Sequence, residues 1–288
     1  MTQWLKHSIN AVLLTALFVQ CSNSDRDDDK DVNASVDYTI ASNVYNDTWK
    51  EVHKHIATDL AILDSNRTLD PANNIDSITV FPGGFAYPKT VSIYYDGNTL
   101  GDLERRRTGV LEAVLSGPYY TPGTTLTFNL SSYTMNGLSL SGTYTMELDS
   151  ISGDNLSFFY TRHIEDGRIY DGKAGNTGTN IRYRSIERAV IDTVSAGITN
   201  DKFFTTIIEC DGMATVGTLF SATNSVDVQF GYSCAFDYGA VTELDVPNIA
   251  TRTARLPVGT ACNNEVVVEI NLSYQEIPYS VGSAEVIE

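Results

Sequence analysis

From Ile75 onward the chain is written in short runs of alternating apolar and polar residues, broken about every ten residues by Gly, Asn, Asp or Pro. Val91-Ile93-Tyr95, Leu126-Phe128-Leu130, Tyr144-Met146 and Val266-Val268-Ile270-Leu272 each occupy one side of a period of two. Successive side chains of a strand point to opposite faces, so this rhythm fits sheets buried on one face and solvated on the other, the habit of antiparallel pairing. Asp96-Gly97, Asn136-Gly137, Asp166-Gly167, Asp171-Gly172 and Asp211-Gly212 read as tight hairpin turns, because these residues tolerate positive backbone angles. The expected fold is therefore all-β, an antiparallel meander or sandwich. The same period puts one ring of each neighbouring pair, Tyr94-Tyr95 and Tyr119-Tyr120, into the core.

One helix is expected, over Thr48 to Leu63, where Trp49, Val52, Ile56, Leu60 and Leu63 recur at three- and four-residue steps. Asp47 or Thr48 is available as N-cap and Asp64-Ser65-Asn66 as a stop. His53 and His55 are two apart and project on different faces, so they are expected as solvated surface residues rather than a chelating pair. The cluster Arg105-Arg106-Arg107 precedes a strand-like run and reads as solvent-facing edge charge. Asn136 to Thr143 resembles Asp211 to Thr218, and the step from 136 to 211 is an offset of 75 that also carries Arg107 to Arg182 and Phe128 to Phe203. Two tandem β repeats follow, packed together or sharing one sheet. The expected plan is a leader at 1–20, an acidic tether at 21–40, the helical segment at 41–66, β units at 67–150 and 151–225, and a closing β segment at 226–288.

The first residues carry Lys6 and then an apolar run from Ala11 to Val19, too short to span a bilayer, followed by Cys21 and the polar stretch Ser22 to Asp31. This resembles a bacterial lipoprotein signal, which implies acylation of Cys21 and stable anchoring through more than one chain. Gln20 and Phe18 stand where such signals usually carry a small and an aliphatic residue, and an ordinary secretory signal cleaved elsewhere remains the alternative. Either way the body is exported.

The 288-residue chain has net charge −17, and losing Lys6 with the leader makes it more acidic still. A broad basic face for nucleic acid is thereby excluded, since phosphate affinity needs clustered Lys and Arg. No Gly-x-Ser-x-Gly, Ser-x-x-Lys, His-Glu-x-x-His or phosphate loop occurs, so catalytic residues are unassigned and no cofactor is expected. Two enzymatic readings were weighed. His163, beside Glu165 and Asp166, is a general-base candidate, and Glu104, Glu112, Glu165 and Asp166 are candidates for a carboxylate pair. Of the cysteines left after acylation, Cys234 with Cys262 is the favoured disulfide, leaving Cys210 as a buried thiol, although spacing alone does not fix the pairing. Such a bond would contribute about 3–4 kcal/mol. The spacings are too long for a metal site, and none is expected.

Arg107-Thr108-Gly109, Tyr119-Tyr120-Thr121-Pro122-Gly123, Thr127-Phe128, Tyr133, Asn136-Gly137 and Gly142-Thr143 together resemble a family of uncharacterised all-β surface lipoproteins common in Bacteroidota. In that family a helical segment with an Asn-Asp pair, here Asn46-Asp47, precedes two β units and a C-terminal stretch with two cysteines, like Cys234 and Cys262. The resemblance implies an outer-membrane lipoprotein facing outside the cell and carries no assigned activity. Asp76-Ser77, Asp149-Ser150 and Asp192-Thr193, each followed by an aliphatic residue, are similar to sites of O-glycan attachment in such bacteria, which marks Ser77, Ser150 and Thr193. The expected role is non-catalytic, structural or binding, with a glycan or a surface protein as partner. The rival is a carboxylate-based glycoside hydrolase.

Overall fold

The computed structural model describes residues 31–57, 67–68, 74–171, 178–193, 198–258 and 263–281. All that follows belongs to the unit Val32–Glu288. Among the described residues one α-helix, α1 (Asn33–Ile56), precedes sixteen strands in a single sheet. They are β1 (Arg67–Thr68), β2 (Ile75–Phe81), β3 (Lys89–Asp96), β4 (Arg107–Leu115), β5 (Thr125–Asn129), β6 (Tyr133–Met135), β7 (Leu138–Ile151) and β8 (Ser157–Tyr170). Then come β9 (Asn180–Asp192), β10 (Lys202–Met213), β11 (Leu219–Val226), β12 (Val228–Gly231), β13 (Val241–Asp245), β14 (Arg252–Arg255), β15 (Glu265–Ile270) and β16 (Ser273–Pro278). Every paired neighbour among the described residues is antiparallel and the main path follows chain order, with β6 beside β4 and β7 and β12 beside β10. The fold is all-β with one N-terminal helix, as the alternation predicts.

The strands alternate as read, except that Leu272 is not on the buried row but 83% exposed in the turn between β15 and β16. Val91, Ile93, Leu126, Phe128, Tyr144, Met146, Val266 and Val268 are buried on the inner face, and Tyr95 and Tyr119 are the buried members of their pairs. What the inner face covers is α1. Tyr38 packs against Tyr183 of β9 and Phe220 of β11, and Tyr45 against Tyr144 of β7 and Tyr183. Trp49 meets Tyr160 of β8, Phe203 of β10 and Phe230 of β12. From the opposite side Arg107 of β4 and Tyr95 of β3 reach the same helix. A sheet whose early and late strands both touch one helix has to curl round it.

Curling needs local breaks in the ladder. The longest strands, β7 and β8, carry facing bulges between Ser141 and Thr143 and between Ile164 and Gly167, which bend a strand and raise its twist. Gly142 sits in the first at φ +113, and Gly167 in the second, where a Cβ would stand 2.6 Å from the Tyr45 hydroxyl. The helix is thus seated against the bend, and the Tyr45 hydroxyl donates to the Ser141 carbonyl at 3.3 Å.

Several expectations change. The helix begins at Asn33, so residues 33–40 of the expected tether are helical and mostly buried, and it ends at Ile56, with Leu60 and Leu63 outside the described residues. A one-sided apolar stripe is the signature of a helix with water on its other side, and α1 has sheet there instead. Its termini are set by tertiary contact, since Val32 gives no side-chain cap and β-branched and aromatic residues are frequent. The offset-75 repeat is not echoed in geometry. Asn136-Gly137 turns between β6 and β7, whereas Asp211-Gly212 lies within β10; likewise Gly142 is a bulge and Gly217 a hairpin turn. Asp166-Gly167 is a bulge within β8 rather than a hairpin turn. Cys210 is a buried free thiol, as expected; Cys234 is buried and not among the free thiols, and Cys262 lies outside the described residues, as does Cys21.

Candidate functional site

Two groups of chemistry-bearing side chains stand out, one sealed between α1 and the sheet and one open on the outer face.

In the sealed group, Arg107 Nη2 donates to Asp47 Oδ2 at 2.7 Å and lies 3.5 Å from Glu51 Oε2, while Lys50 Nζ is 3.2 Å from Asp47 Oδ1. Burial pushes both carboxyls up, but the neighbouring cations outweigh it and hold Asp47 at about 2 and Glu51 well below the usual carboxylate range. Arg105 donates to Asn43 Oδ1 at 2.9 Å and to the Ala235 carbonyl. Arg162 of β8 joins Asn46 Oδ1 at 2.6 Å to Glu187 of β9, which also accepts from the Tyr183 hydroxyl at 3.1 Å. Asp237 accepts from Ser42 Oγ at 2.9 Å and Asn46 Nδ2 at 2.8 Å, yet burial still raises it to about 6. The charged groups Asp47, Lys50 and Glu51 and the amides Asn43 and Asn46 of the helix therefore meet complementary groups of the sheet or its loops, the condition for burying charge at all.

Two sequence expectations fail here for one reason. Arg105 and Arg107 are not edge charges; they are 3% and 2% exposed and neutralise the helix. His53 is not solvated either. It is fully buried, and burial lowers its pKa against the opposing pull of Asp201. As a neutral ring it accepts from the Tyr119 hydroxyl at Nδ1 over 2.8 Å and donates from Nε2 to Asp201 Oδ2 over 3.1 Å. His55 is half-buried and bonds Glu51. Local periodicity assigns a side chain to a face, and it does not say whether that face meets water or a second wall of protein. The Asp201–His53–Tyr119 chain has the order of a proton relay, and through it the loop before β10 and the segment after β4 are both tied to α1.

The carboxylates singled out from the sequence do not form this cluster. Glu104 lies in a short 3-10 turn, Glu112 on β4 bonded to Ser92 and Asn129, and Glu165 and Asp166 on the exposed bulge of β8. His163 is half-buried on the outer face, opposite Thr145 and Ile186. Ser77 is half-buried on β2 and Ser150 exposed on β7; the Thr193 hydroxyl donates to the Leu156 carbonyl at 3.0 Å. Among the described residues no group of His, Cys, Asp or Glu could hold a metal ion, and no helix is long and apolar enough to cross a membrane.

The open group is a groove of about 420 Å³ on the outer face of β8 to β11, lined chiefly by Arg168, Arg182, Arg184, Asp211, Met213 and Leu219. No family model, curated protein or solved structure matches the chain. The groove must be read from its own residues. Arg168 and Arg182 are direct cross-strand partners, both exposed. Arg168 donates from Nε to Asn180 Oδ1 at 3.0 Å and lies 4.9 Å over the Tyr170 ring. Arg184 pairs with Glu209 at 2.5 Å and Asp211 at 3.0 Å. The basic row continues along β9 to Arg188, also exposed. The offset of 75 singles out Arg182 alone, although Arg182-x-Arg184-x-Ile186-x-Arg188 is a legible period-two row in a chain whose charges are mostly Asp and Glu.

Proposed function

We propose that this chain is an exported protein, held at the cell envelope by an acylated Cys21 and facing outside, that acts as a non-catalytic binding module. Its ligand, a glycan or a surface protein, meets the outer face of β8 to β11. The observation that carries the reading is the distribution of charge. Inside the molecule the carboxylates of Asp47, Glu51 and Glu187 are buried against Arg107 and Arg162, whereas on the outer face Arg168, Arg182 and Arg184 gather in a solvent-open groove that also holds Asp166 and Asp211. Binding sites are concave with a few convergent polar groups, and this groove fits that description.

The closing of the C-terminal segment by a Cys234–Cys262 disulfide, the O-glycosylation of Ser77, Ser150 and Thr193, and membership of the Bacteroidota lipoprotein family belong to the same proposal. It is supported by the burial of Cys234, by the surface positions of the three hydroxyl residues and by the motifs that carry the resemblance. The test is twofold. Labelled palmitate should enter the wild-type chain and not Cys21→Ser, which should leave the membrane fraction, and a glycan array run with the intact protein should return ligands without cleavage. Unchanged fractionation of Cys21→Ser would overturn the address. Hydrolysis of any arrayed glycan would replace the binding reading with the glycosidase.

A further inference from the structure

Arg168 and Arg182 stand directly opposite each other on the same exposed face of neighbouring strands. Cβ atoms of such partners are about 4.5–5.5 Å apart, and like charges there are destabilising. The chain has abundant acid with which to relieve the repulsion, since Asp and Glu outnumber Lys and Arg by 36 to 19. Relief is given to Arg184, through Glu209 and Asp211, while the Arg182 guanidinium has no hydrogen-bond or ion-pair partner among the described residues. Arg168 is oriented by Asn180 and by the Tyr170 ring, so its fork is preorganised without being neutralised. Two exposed arginines in opposed register positions, one oriented and one uncompensated, are placed so that both can reach one carboxylate or sulfate.

Resting on the binding reading above, we propose that the groove takes an acidic oligosaccharide, its carboxylate or sulfate bridging Arg168 and Arg182. The remaining lining suits sugar. Asp166 and Asp211 are acceptors for hydroxyl groups, and Met213 and Leu219 form an apolar side on which the carbon face of a pyranose rests. Arg182 to Arg188 spans six residue steps of β9, about 20 Å, with arginine at 182, 184 and 188 and Ile186 between, enough for several sugar units. An acidic peptide fits less well. The groove lies on the face of strands already paired on both edges, so a peptide backbone finds no edge to extend.

The experiment measures binding of the intact, detergent-solubilised chain to tetragalacturonate, to its fully methyl-esterified form, to dextran sulfate, to unmodified dextran and to poly-glutamate. Arg182→Gln and Arg168→Gln are run in parallel, with Trp49 fluorescence as the check of folding. The expected result is binding of tetragalacturonate or dextran sulfate that weakens with salt, drops at least tenfold in either variant and is absent for the neutral counterpart. Equal binding of the neutral forms, lost in the variants, would keep the binding module and overturn the anionic ligand. Poly-glutamate that binds as tightly and competes would assign the groove to an acidic protein instead. Acidic glycan binding that both folded variants retain would place the ligand elsewhere, and silence toward all five would overturn the groove as a binding site.

Discussion

Arg107 is the strongest single tie between the sheet and the helix, and its loss has a calculable signature. In Arg107→Met the side-chain volume is kept, but Asp47 and Glu51, 2% and 4% exposed, lose the guanidinium that lies 2.7 and 3.5 Å from them. Holding Asp47 at about 2 instead of its ordinary 3.8 corresponds to about 2.4 kcal/mol at neutral pH. Removing one partner of a buried pair typically costs ~3–5 kcal/mol, since the other charge stays buried. Against a total stability of ~5–15 kcal/mol, that is a large share without guaranteed unfolding. In the wild type both carboxyls lie below their unfolded values, so their contribution is present above about pH 4 and is lost as pH falls toward 2. Without Arg107, burial dominates and lifts the folded values, which reverses the sign: the variant is worst at neutral pH and recovers on acidification. Urea unfolding followed by Trp49, the one tryptophan of the chain besides Trp4, should place the variant midpoint lower by about 1 M or more at pH 7, at slopes of ~1–3 kcal/mol per M. The gap should narrow at pH 4.5. A midpoint within a few tenths of a molar at pH 7, or a deficit equal at both pH values, would refute the reasoning. Arg107→Lys, which keeps charge without the fork, should fall between the two.

Asp237 carries the opposite sign. Its raised value of about 6 means that the folded state holds a proton the unfolded state has released, so stability falls as pH rises from about 4 to 6. Lys50 and Arg162 face it and already soften the effect. Asp237→Asn should therefore be more stable than wild type at pH 8, by up to about 3 kcal/mol, with the gain vanishing at pH 4 in the same urea assay. Gly167→Ala places a Cβ 2.5 Å from the Tyr183 carbonyl and 2.6 Å from the Tyr45 hydroxyl, and should cost about 1–3 kcal/mol; an unchanged thermal midpoint would show that the β8 bulge does not seat the helix. Burial pushes the Cys210 thiol well above its usual range, so an aromatic disulfide reagent at pH 8 should label it only at the rate of unfolding. Rapid labelling of the folded protein would contradict its burial.

Alternation in β3, β5, β7 and β15 was legible because it is local: a period of two assigns each side chain to a face without reference to any other strand, and turn chemistry marks the ends. The core positions Val91, Phe128, Tyr144 and Val268 follow from that alone. The same logic misread Asn33 to Ile56, where Ser42, Asn43, Asn46, Asp47, Lys50, Glu51 and His53 all face inward. Their suitability for burial depends on Arg105, Arg107, Arg162, Asp201 and Asp237, which come from distant strands and loops. It also misplaced Asp166-Gly167 and Asp211-Gly212, since a bulge and a turn use the same residues and only pairing with a neighbour distinguishes them. For the groove, the Arg row of β9 was visible in the text, but its meeting with Arg168 required the register of β8 on β9. The antiparallel all-β class, the inward and outward faces and the acidic balance were thus determined by the sequence alone, because they are properties of consecutive residues. Only the tertiary structure decided that a polar helix is the centre and where guanidinium groups gather, because charge becomes buriable or functional through partners far away in the chain.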